Sequence, residues 1–307
     1  MPADLPAAFR FTHHAMATLF EVMVRGGEEA YAGQAAGAVF REVERIERLF
    51  SRFDPTSDIG RINRLGPGEA MTIGVETHEC LSLAEAVRRE VGGAFDINVK
   101  ALIKYGGGVG AVSLELARTA DGFEVRRVSP KEGGPAPLDL DLGGIGKGYA
   151  LDRAVEVLAD WSVEDALVHG GTSTAVALGD APGADGPRTG WPVGVGAGWP
   201  CPEAPAGFRL RGRALSGSGT DVKGRHVLDP RTGLPAGGHL AAWASHPSAA
   251  VADALSTAFM VMATGEVEAY CRRHPEVWAL VVRDYGDCRV FNPGIASDIE
   301  LGARSWP

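Results

Sequence analysis

Two polar side chains in the segment VADALSTAFM (251–260) have the types and spacing of a metal-binding corner. Asp253 and Thr257 are four positions apart, which places them on one face of a predicted helix that is otherwise largely apolar. A buried carboxylate is costly unless it is paired or binds a metal, and a carboxylate with a hydroxyl one turn away suits a hard cation such as Mg²⁺. Periodicity alone favours a structural alternative, in which Asp253 accepts from a nearby backbone N–H and Thr257 donates to its own i−4 carbonyl.

A glycine-rich turn in DLGGIGKGYA (141–150) leads into another predicted helix. Such a turn exposes backbone N–H groups, and the lysine beside them, Lys147, would suit a phosphate. The segment is not a P-loop, because the glycine spacing is too short and Gly148 stands where Ser or Thr would bind magnesium. It also lacks the dinucleotide fingerprint of a Rossmann fold. Alone, it is as often the structural start of a helix as a binding site.

Two more stretches carry a titratable group next to a turn. In GRHVLDPRTGLP (224–235), His226 precedes an Asp-Pro turn by three residues, and histidine titrates near neutral pH. In GGAFDINV (92–99), Asp96 follows a glycine turn and without further context would cap it. The pair His13 and His14 has no partner ligands nearby in sequence, so metal binding there is a weak hypothesis. Each of these stretches is unspecific by itself.

The elements that must position these residues follow from hydrophobic periodicity and from glycine and proline punctuation. Helices are predicted over 28–50, 76–91, 146–161 and 249–263, and strands over 123–128, 138–142, 166–169, 174–178, 191–195, 277–283 and 289–291. The last helix is apolar on nearly all sides and should be buried. Helices and strands mix without a strict βαβ period, which favours an α+β fold.

Composition excludes some classes of protein. The 307 residues are 45% hydrophobic and carry a net charge of -9 with both signs interspersed, which argues against nucleic-acid binding. No apolar run is long enough for a signal peptide or a membrane anchor, so a cytoplasmic location is expected. The four cysteines are widely scattered without a Cys-x-x-Cys pair, so reduced, buried thiols are expected.

Taken together and in this order, the stretches resemble the FAD:protein FMN transferase family, also called the ApbE family. The resemblance covers nearly the whole chain and is carried by HHAMATLFEVMV, LFSRFDPTSDIGRIN, GGAFDINV, DLGGIGKGYALD, HGGTSTAVALG, HVLDPRTGLP and VADALSTAFMV. It implies a single domain over residues 1–307, with an α+β fold of two T-fold-like halves and FAD in the cleft between them.

The resemblance also implies roles for individual residues. The implied cofactor contacts are Met16, Phe53, Ala94, Phe95, Asp96, Asp141 and Lys147. Phe53 would stack on the flavin, and Asp141 and Lys147 would lie beside the adenylate or the pyrophosphate. The implied metal ligands are the backbone carbonyl of Gly144 and the side chains of Asp253 and Thr257, with Mg²⁺ as the default ion and Mn²⁺ as the alternative.

The reaction implied is Mg²⁺-dependent transfer of FMN from FAD to a Ser or Thr hydroxyl of an acceptor protein, with release of AMP. His226 would take the hydroxyl proton, and Asp253 is the fallback base. The acceptor should expose Ser or Thr in a short motif containing Gly or Ala. Two alternatives remain: an FAD pyrophosphatase, in which water replaces the acceptor, and a non-catalytic FAD-binding protein.

The chain departs from the family pattern in two places. Met16-Ala17-Thr18 replaces the usual Met-Gly-Thr, a change that is tolerable where the turn does not need a positive φ. The segment SGSGTD (216–221) lacks the aromatic residue and the arginine that often follow Ser-Gly in the family. This second departure would affect binding of the acceptor protein more than binding of the flavin. Many family members are exported lipoproteins, whereas a lipobox cysteine is missing from this sequence.

Overall fold

The computed structural model describes residues 8–101, 113–120, 122–128, 138–181, 190–195, 208–219, 227–284 and 287–298. His226 and Cys201 therefore lie outside the described residues. Within them, helices and strands alternate irregularly along the chain. The predicted α+β class is confirmed.

An eight-stranded antiparallel sheet forms the centre of the fold, in the order β1-β2-β6-β7-β10-β11-β12-β13. Its strands are β1 Ala8–Ala15, β2 Thr18–Arg25, β6 Ala166–Gly170, β7 Thr174–Leu178, β10 Arg213–Gly219, β11 Ala241–His246, β12 Trp278–Asp284 and β13 Asp287–Phe291. A three-stranded sheet and a two-stranded sheet are formed by β3 Ala70–Ile73, β4 Ser113–Thr119, β5 Gly122–Val128, β8 Trp191–Val193 and β9 Phe208–Leu210.

The helices cover one face of the large sheet. They are α1 Glu29–Phe50, α2 Asp58–Ile62, α3 Val75–Glu90, α4 Gly146–Asp160, α5 Ala249–Val261 and α6 Thr264–Arg273, followed by a 3₁₀ helix, Pro293–Asp298. Because side chains alternate along a strand, Phe20 and Val22 of β2 enter the core shared with these helices. On the opposite face, Trp191 and Trp278 belong to a second, smaller core.

The four helices predicted from periodicity agree with α1, α3, α4 and α5 to within two residues at each end. As expected, α5 is buried along almost its whole length. Gly92 and Gly93, which come just after α3, have φ angles of 58° and 79°. These values are typical of glycines that terminate helices.

The strand predicted over 138–142 is wrong, because these residues form no strand. The backbone of this segment forms hydrogen bonds with side chains where a strand would pair with a neighbouring strand. The backbone N–H of Leu140 donates to Asn63 Oδ1 at 2.6 Å, and Asn63 Nδ2 donates back to the Leu140 carbonyl at 3.1 Å. Asn98 Oδ1 likewise accepts from the N–H of Asp139 at 2.8 Å. Apolar periodicity does not distinguish such a segment from a strand.

The turn between β1 and β2 requires positive φ angles. Met16 and Ala17 are its two central residues, with φ of 49° and 56°. Two-residue hairpin turns of this kind favour glycine or asparagine. The condition under which alanine was expected to be tolerated, a turn without a positive φ, is therefore not met: Ala17 adopts a strained, left-handed backbone.

The cysteine expectation holds only in part. Cys80 and Cys271 are reduced and buried, but Cys288 is disulfide-bonded, so the expectation is wrong for Cys288. Disulfide formation depends on the approach of two Cβ atoms in space, which sequence spacing does not reveal. Among the described residues, no helix is long and apolar enough to cross a membrane.

Candidate active site

The first turns of α4 and α5 lie in close contact, and Gly148 makes this possible. A Cβ added at Gly148 would lie 2.2 Å from the Ala249 carbonyl oxygen, so a larger residue cannot fit there. The helices are also joined by Asp152 of α4, which accepts hydrogen bonds from Ser248 Oγ at 2.7 Å and from the N–H groups of Ala249 and Ala250 at 2.6 Å and 3.0 Å. Asp152 thus provides the acceptors that the start of α5 needs.

Burial raises the pKa of the Asp152 carboxyl, while the hydrogen bonds from Ala250, Ser248 and Ala249 oppose that rise. The cap is therefore a carboxylate held in a poorly solvated place by its donors. Its consequence for the site is geometric, since it fixes the start of α5 against α4. Asp253 follows one turn later on α5.

Asp253 is 3% exposed and is surrounded by donors. Gly148 N–H donates to Asp253 Oδ2 at 3.2 Å, and Ser216 Oγ of β10 donates to Oδ1 at 3.2 Å. Lys147 Nζ lies 3.5 Å from Oδ2 and 3.2 Å from the Gly143 carbonyl oxygen. A buried carboxylate is thus paired with one ammonium and held by two neutral donors.

Thr257 and Gly144 lie near Asp253, and these three residues form the metal corner. Thr257 Oγ1 donates to the Asp253 carbonyl at 3.2 Å. A Cβ added on Gly144 would lie 3.2 Å from Thr257 Oγ1 and 3.2 Å from the Phe95 ring, so the Gly144 backbone lies close to both residues. Both hydrogen bonds of the structural alternative, from a backbone N–H to Asp253 and from Thr257 to its i−4 carbonyl, are therefore formed in this structure. Asp253, Thr257 and the Gly144 backbone nevertheless lie in one region of the structure.

The donor set of this corner fits a hard cation. One carboxylate, one hydroxyl and nearby backbone carbonyls are all oxygen ligands, which Mg²⁺ prefers. Within the described ranges, no group of three or more His, Cys, Asp or Glu side chains could hold a metal ion. Such a corner needs ligands from water or phosphate, as Mg²⁺ sites that act on phosphates usually do. His13, one of the two histidines for which metal binding was a weak hypothesis, lies with its Nε2 atom 2.8 Å from Glu44 Oε1.

A chain of hydroxyl groups behind Asp253 was not predicted from the sequence. It runs from Thr174 of β7 through Ser216 at 2.9 Å, then to Ser256 at 3.4 Å, to Ser218 at 2.9 Å, and to Thr257 at 3.5 Å. Ser216 and Ser218 alternate with glycine along β10, and alternate residues of a strand share a face. That spacing in SGSG was the available signal for a polar strand face against α5.

The loop after α1 presents Phe53 to solvent. The Phe53 side chain is 86% exposed, and the Arg52 guanidinium lies 5.2 Å from the centre of its ring. Arg52 also pairs with Asp139 at 3.0 Å and with Asp141 at 3.8 Å. An exposed aromatic is thus connected to the segment that carries Asp141.

The remaining predicted contacts are held by local bonds. Ala94 and Phe95 are buried. Asp96 accepts from the Asn98 N–H at 2.7 Å, and burial raises the pKa of its carboxyl. Asp141 accepts from the Gly143 N–H at 2.9 Å, and the Met16 N–H donates to Glu47 of α1 at 2.6 Å. Direct contacts therefore unite the metal corner, whereas Met16 is fixed separately against α1.

A cavity of about 480 Å³ lies on the other face of the large sheet, where Glu21, His169 and Trp243 contribute to its lining. Leu215, which also lines it, points away from the face on which its neighbour Ser216 bonds Asp253. None of the site residues predicted from the sequence lines this cavity. Thr174, whose hydroxyl bonds Ser216 at 2.9 Å, does line it, so the cavity adjoins the hydroxyl chain behind Asp253.

The comparison with protein families settles the relationship. The model of the ApbE family matches residues 16–281. The chain belongs to the ApbE family. This confirms the resemblance seen in the ordered motifs.

Curated relatives of this ApbE-family chain are named FAD:protein FMN transferase. The protein of Treponema pallidum is 32% identical over 160 residues, covering 48% of this chain and 44% of the relative. The protein of Klebsiella pneumoniae is 24% identical over 65% of this chain and 66% of the relative. The protein of Rhodobacter capsulatus is 25% identical over 81% of this chain and 50% of the relative. The matches thus span about half to two thirds of the relatives' lengths.

Solved structures agree on the fold. The apo flavinyl transferase ApbE of Pseudomonas stutzeri superposes with a TM-score of 0.74 at 24% identity, covering 94% of this chain and 96% of that chain. The ApbE protein of Thermotoga maritima gives a TM-score of 0.73 at 24% identity, covering 94% of this chain and 98% of that one. At this identity the likeness establishes the ApbE fold.

Proposed function

We propose that this chain is a magnesium-dependent FAD:protein FMN transferase. The observation that carries the proposal is the contact among Gly144, Lys147, Asp253 and Thr257 in a chain of the ApbE family. The names of the curated relatives support the same activity. The substrates would be FAD and an acceptor protein with an exposed Ser or Thr.

The metal would be held by Asp253, Thr257 and the Gly144 carbonyl, with the pyrophosphate supplying further oxygen ligands. When bound, it would neutralise charge on the pyrophosphate and polarise the phosphorus nearer the riboflavin. Lys147 stands at the edge of this corner with a partly exposed side chain. It would bind the pyrophosphate and take up negative charge as AMP leaves.

The bond changes balance without an added oxidant or reductant. The acceptor hydroxyl oxygen forms a bond to the phosphorus of the FMN half, and the bond from that phosphorus to the bridging oxygen breaks. AMP departs with that oxygen, and the hydroxyl proton passes to a base. We assign the base role to His226, which lies outside the described residues, with Asp253 as the fallback.

Phe53 supports the flavin end of the proposal. It is a large apolar ring that is 86% exposed, and an aromatic face is suited to stacking on a planar ring system. Arg52 holds this loop against Asp139 and Asp141. A bound isoalloxazine would cover the exposed ring.

The test is incubation of the full chain with FAD, Mg²⁺ and a candidate acceptor domain, followed by in-gel flavin fluorescence and mass spectrometry. The expected result is an acceptor that gains the mass of FMN less water in Mg²⁺ and not in EDTA. A His226→Ala variant should label more slowly while still binding FAD.

Two other outcomes identify the alternatives. Release of FMN and AMP at an equal rate with and without acceptor would make the protein an FAD pyrophosphatase. Tight FAD binding with no Mg²⁺-dependent turnover for any acceptor would make it a flavin-binding protein. The cytoplasmic location stays a prediction.

A further inference from the structure

The Lys147 ammonium occupies a small oxygen-lined position in the metal corner. Its Nζ lies 3.2 Å from the Gly143 carbonyl oxygen and 3.5 Å from Asp253 Oδ2. A backbone carbonyl and a carboxylate are also the types of oxygen that would bind a divalent cation here. The ammonium and the metal would therefore share one ligand, the Asp253 carboxylate.

The carboxylate itself is fixed without Lys147. Ser216, which is fully buried, donates to Asp253 Oδ1, and the backbone N–H of Gly148 donates to Oδ2. Both donors are rigid, since one belongs to a central strand and the other to the first turn of α4. These neutral hydrogen bonds orient the carboxylate but leave its charge uncompensated.

Lys147 supplies the compensating charge. Within the part of the chain that the structure describes, it is the cation at salt-bridge distance from Asp253. The Asp253 side chain is 4% exposed, whereas the Lys147 side chain is 24% exposed and sits on a flexible stem. An unpaired buried carboxylate is strongly disfavoured, so a cation must stay in place until another arrives. Of the three groups around Asp253, Lys147 is the one able to leave.

We propose that Lys147 is a placeholder for the metal, a positioning residue that pairs with Asp253 in the metal-free protein and is displaced when a divalent cation binds. Two cations competing for one carboxylate in a poorly solvated corner repel each other. The displaced ammonium then becomes available to the pyrophosphate. This inference rests on the metal site of the proposed function and adds an exchange of cations to it.

The experiment measures Mn²⁺ binding to the full chain in EDTA-treated, FAD-free samples, using the EPR signal of free Mn²⁺. Lys147→Met keeps the length of the side chain and removes the charge. It should bind Mn²⁺ about tenfold more tightly than the unsubstituted chain, an effect within the usual range of coupling between two ligands. In EDTA the variant should have a lower Tm, and Mn²⁺ should raise its Tm more than that of the unsubstituted chain.

A matched control is Lys100→Met, which removes the same charge from a lysine that pairs with Asp141 at 3.6 Å and not with Asp253. Its Mn²⁺ affinity should change by less than about twofold at physiological salt, because exposed charges are screened. Lys147→Gln, which keeps a donor near the Gly143 carbonyl, is the second variant if the Met variant does not fold. It should also bind Mn²⁺ more tightly.

Two failures can be told apart. If the Lys147 variants bind Mn²⁺ no more tightly than the unsubstituted chain while Asp253→Asn abolishes binding, the placeholder inference is wrong and the metal site stands. If Asp253→Asn leaves Mn²⁺ binding intact, the metal site of the proposed function is itself wrong. An equal gain in Mn²⁺ affinity in the Lys100 variant would mean that removing any nearby positive charge strengthens Mn²⁺ binding. That result would also overturn the inference.

Discussion

Asp253 and Phe53 lie at opposite extremes of exposure within one proposed site. Asp253 is 3% exposed and held by donors from α4 and from strand β10. Phe53 is 86% exposed on a loop and contacts its neighbour Arg52. A charged ligand of a metal needs its geometry fixed before binding, because reorganising a buried charge is costly. An apolar platform needs only to be present, since stacking tolerates small shifts.

Asp253→Asn is the strongest test of the buried metal corner. The amide keeps the shape of the side chain but loses the charge that a hard cation needs. Because outer-shell changes alone cost roughly 10- to 100-fold, loss of a direct ligand should lower Mg²⁺-dependent turnover by more than about 100-fold. Initial rates of FMN transfer across a Mg²⁺ titration measure this. Unchanged rates at every Mg²⁺ concentration would remove Asp253 from the metal site.

Gly148→Ala tests whether the corner depends on the close approach of α4 and α5. The new Cβ would meet the Ala249 carbonyl at 2.2 Å, and overpacking against backbone should cost about 3 kcal/mol or more. Gly265→Ala is the matched control, because Gly265 lies early in α6 with nothing within 4 Å of its added Cβ. The control should stabilise by about 0.5–1 kcal/mol. Urea unfolding of both variants measures the difference, and equal stabilities would contradict the packing argument.

Phe53→Ala tests the proposed stacking of the flavin on the exposed Phe53 ring. Loss of stacking should raise the KM for FAD by about 2- to 10-fold, which corresponds to about 0.5–1.5 kcal/mol. The side chain contributes little to the core, so Tm should stay unchanged. Phe53→Tyr should keep the KM near that of the unsubstituted chain. A fall in Tm with unaltered KM would mean that Phe53 is structural.

Ala17→Gly tests whether the left-handed backbone of the β1–β2 turn is strained. With a φ of 56° at Ala17, glycine should relieve about 1 kcal/mol of strain. Ala30→Gly in the exposed part of α1 is the control and should destabilise by about 1 kcal/mol. Thermal unfolding gives both values. A lower Tm for Ala17→Gly would show that the turn prefers alanine for another reason.

Much of the architecture around the site follows from local pattern. The periodicity of α1, α3, α4 and α5 and the glycines after α3 are properties of neighbouring residues, so they could be predicted. The β1–β2 hairpin was missed, because neither central residue of its turn is glycine. The segment 138–142 was mistaken for a strand, because its hydrogen bonds go to Asn63 and Asn98, which are distant in sequence.

For the site itself, the sequence by itself determined that Asp253 and Thr257 share one face of a buried helix, since that depends only on helical spacing. The ordered motifs determined the family. The tertiary structure alone decided which groups surround Asp253: Ser216 from β10, Gly148 through the contact of two helices, and the Lys147 ammonium. These partners are 37 to 106 residues away in the chain, and only packing of α5 between α4 and the sheet brings them within hydrogen-bonding distance.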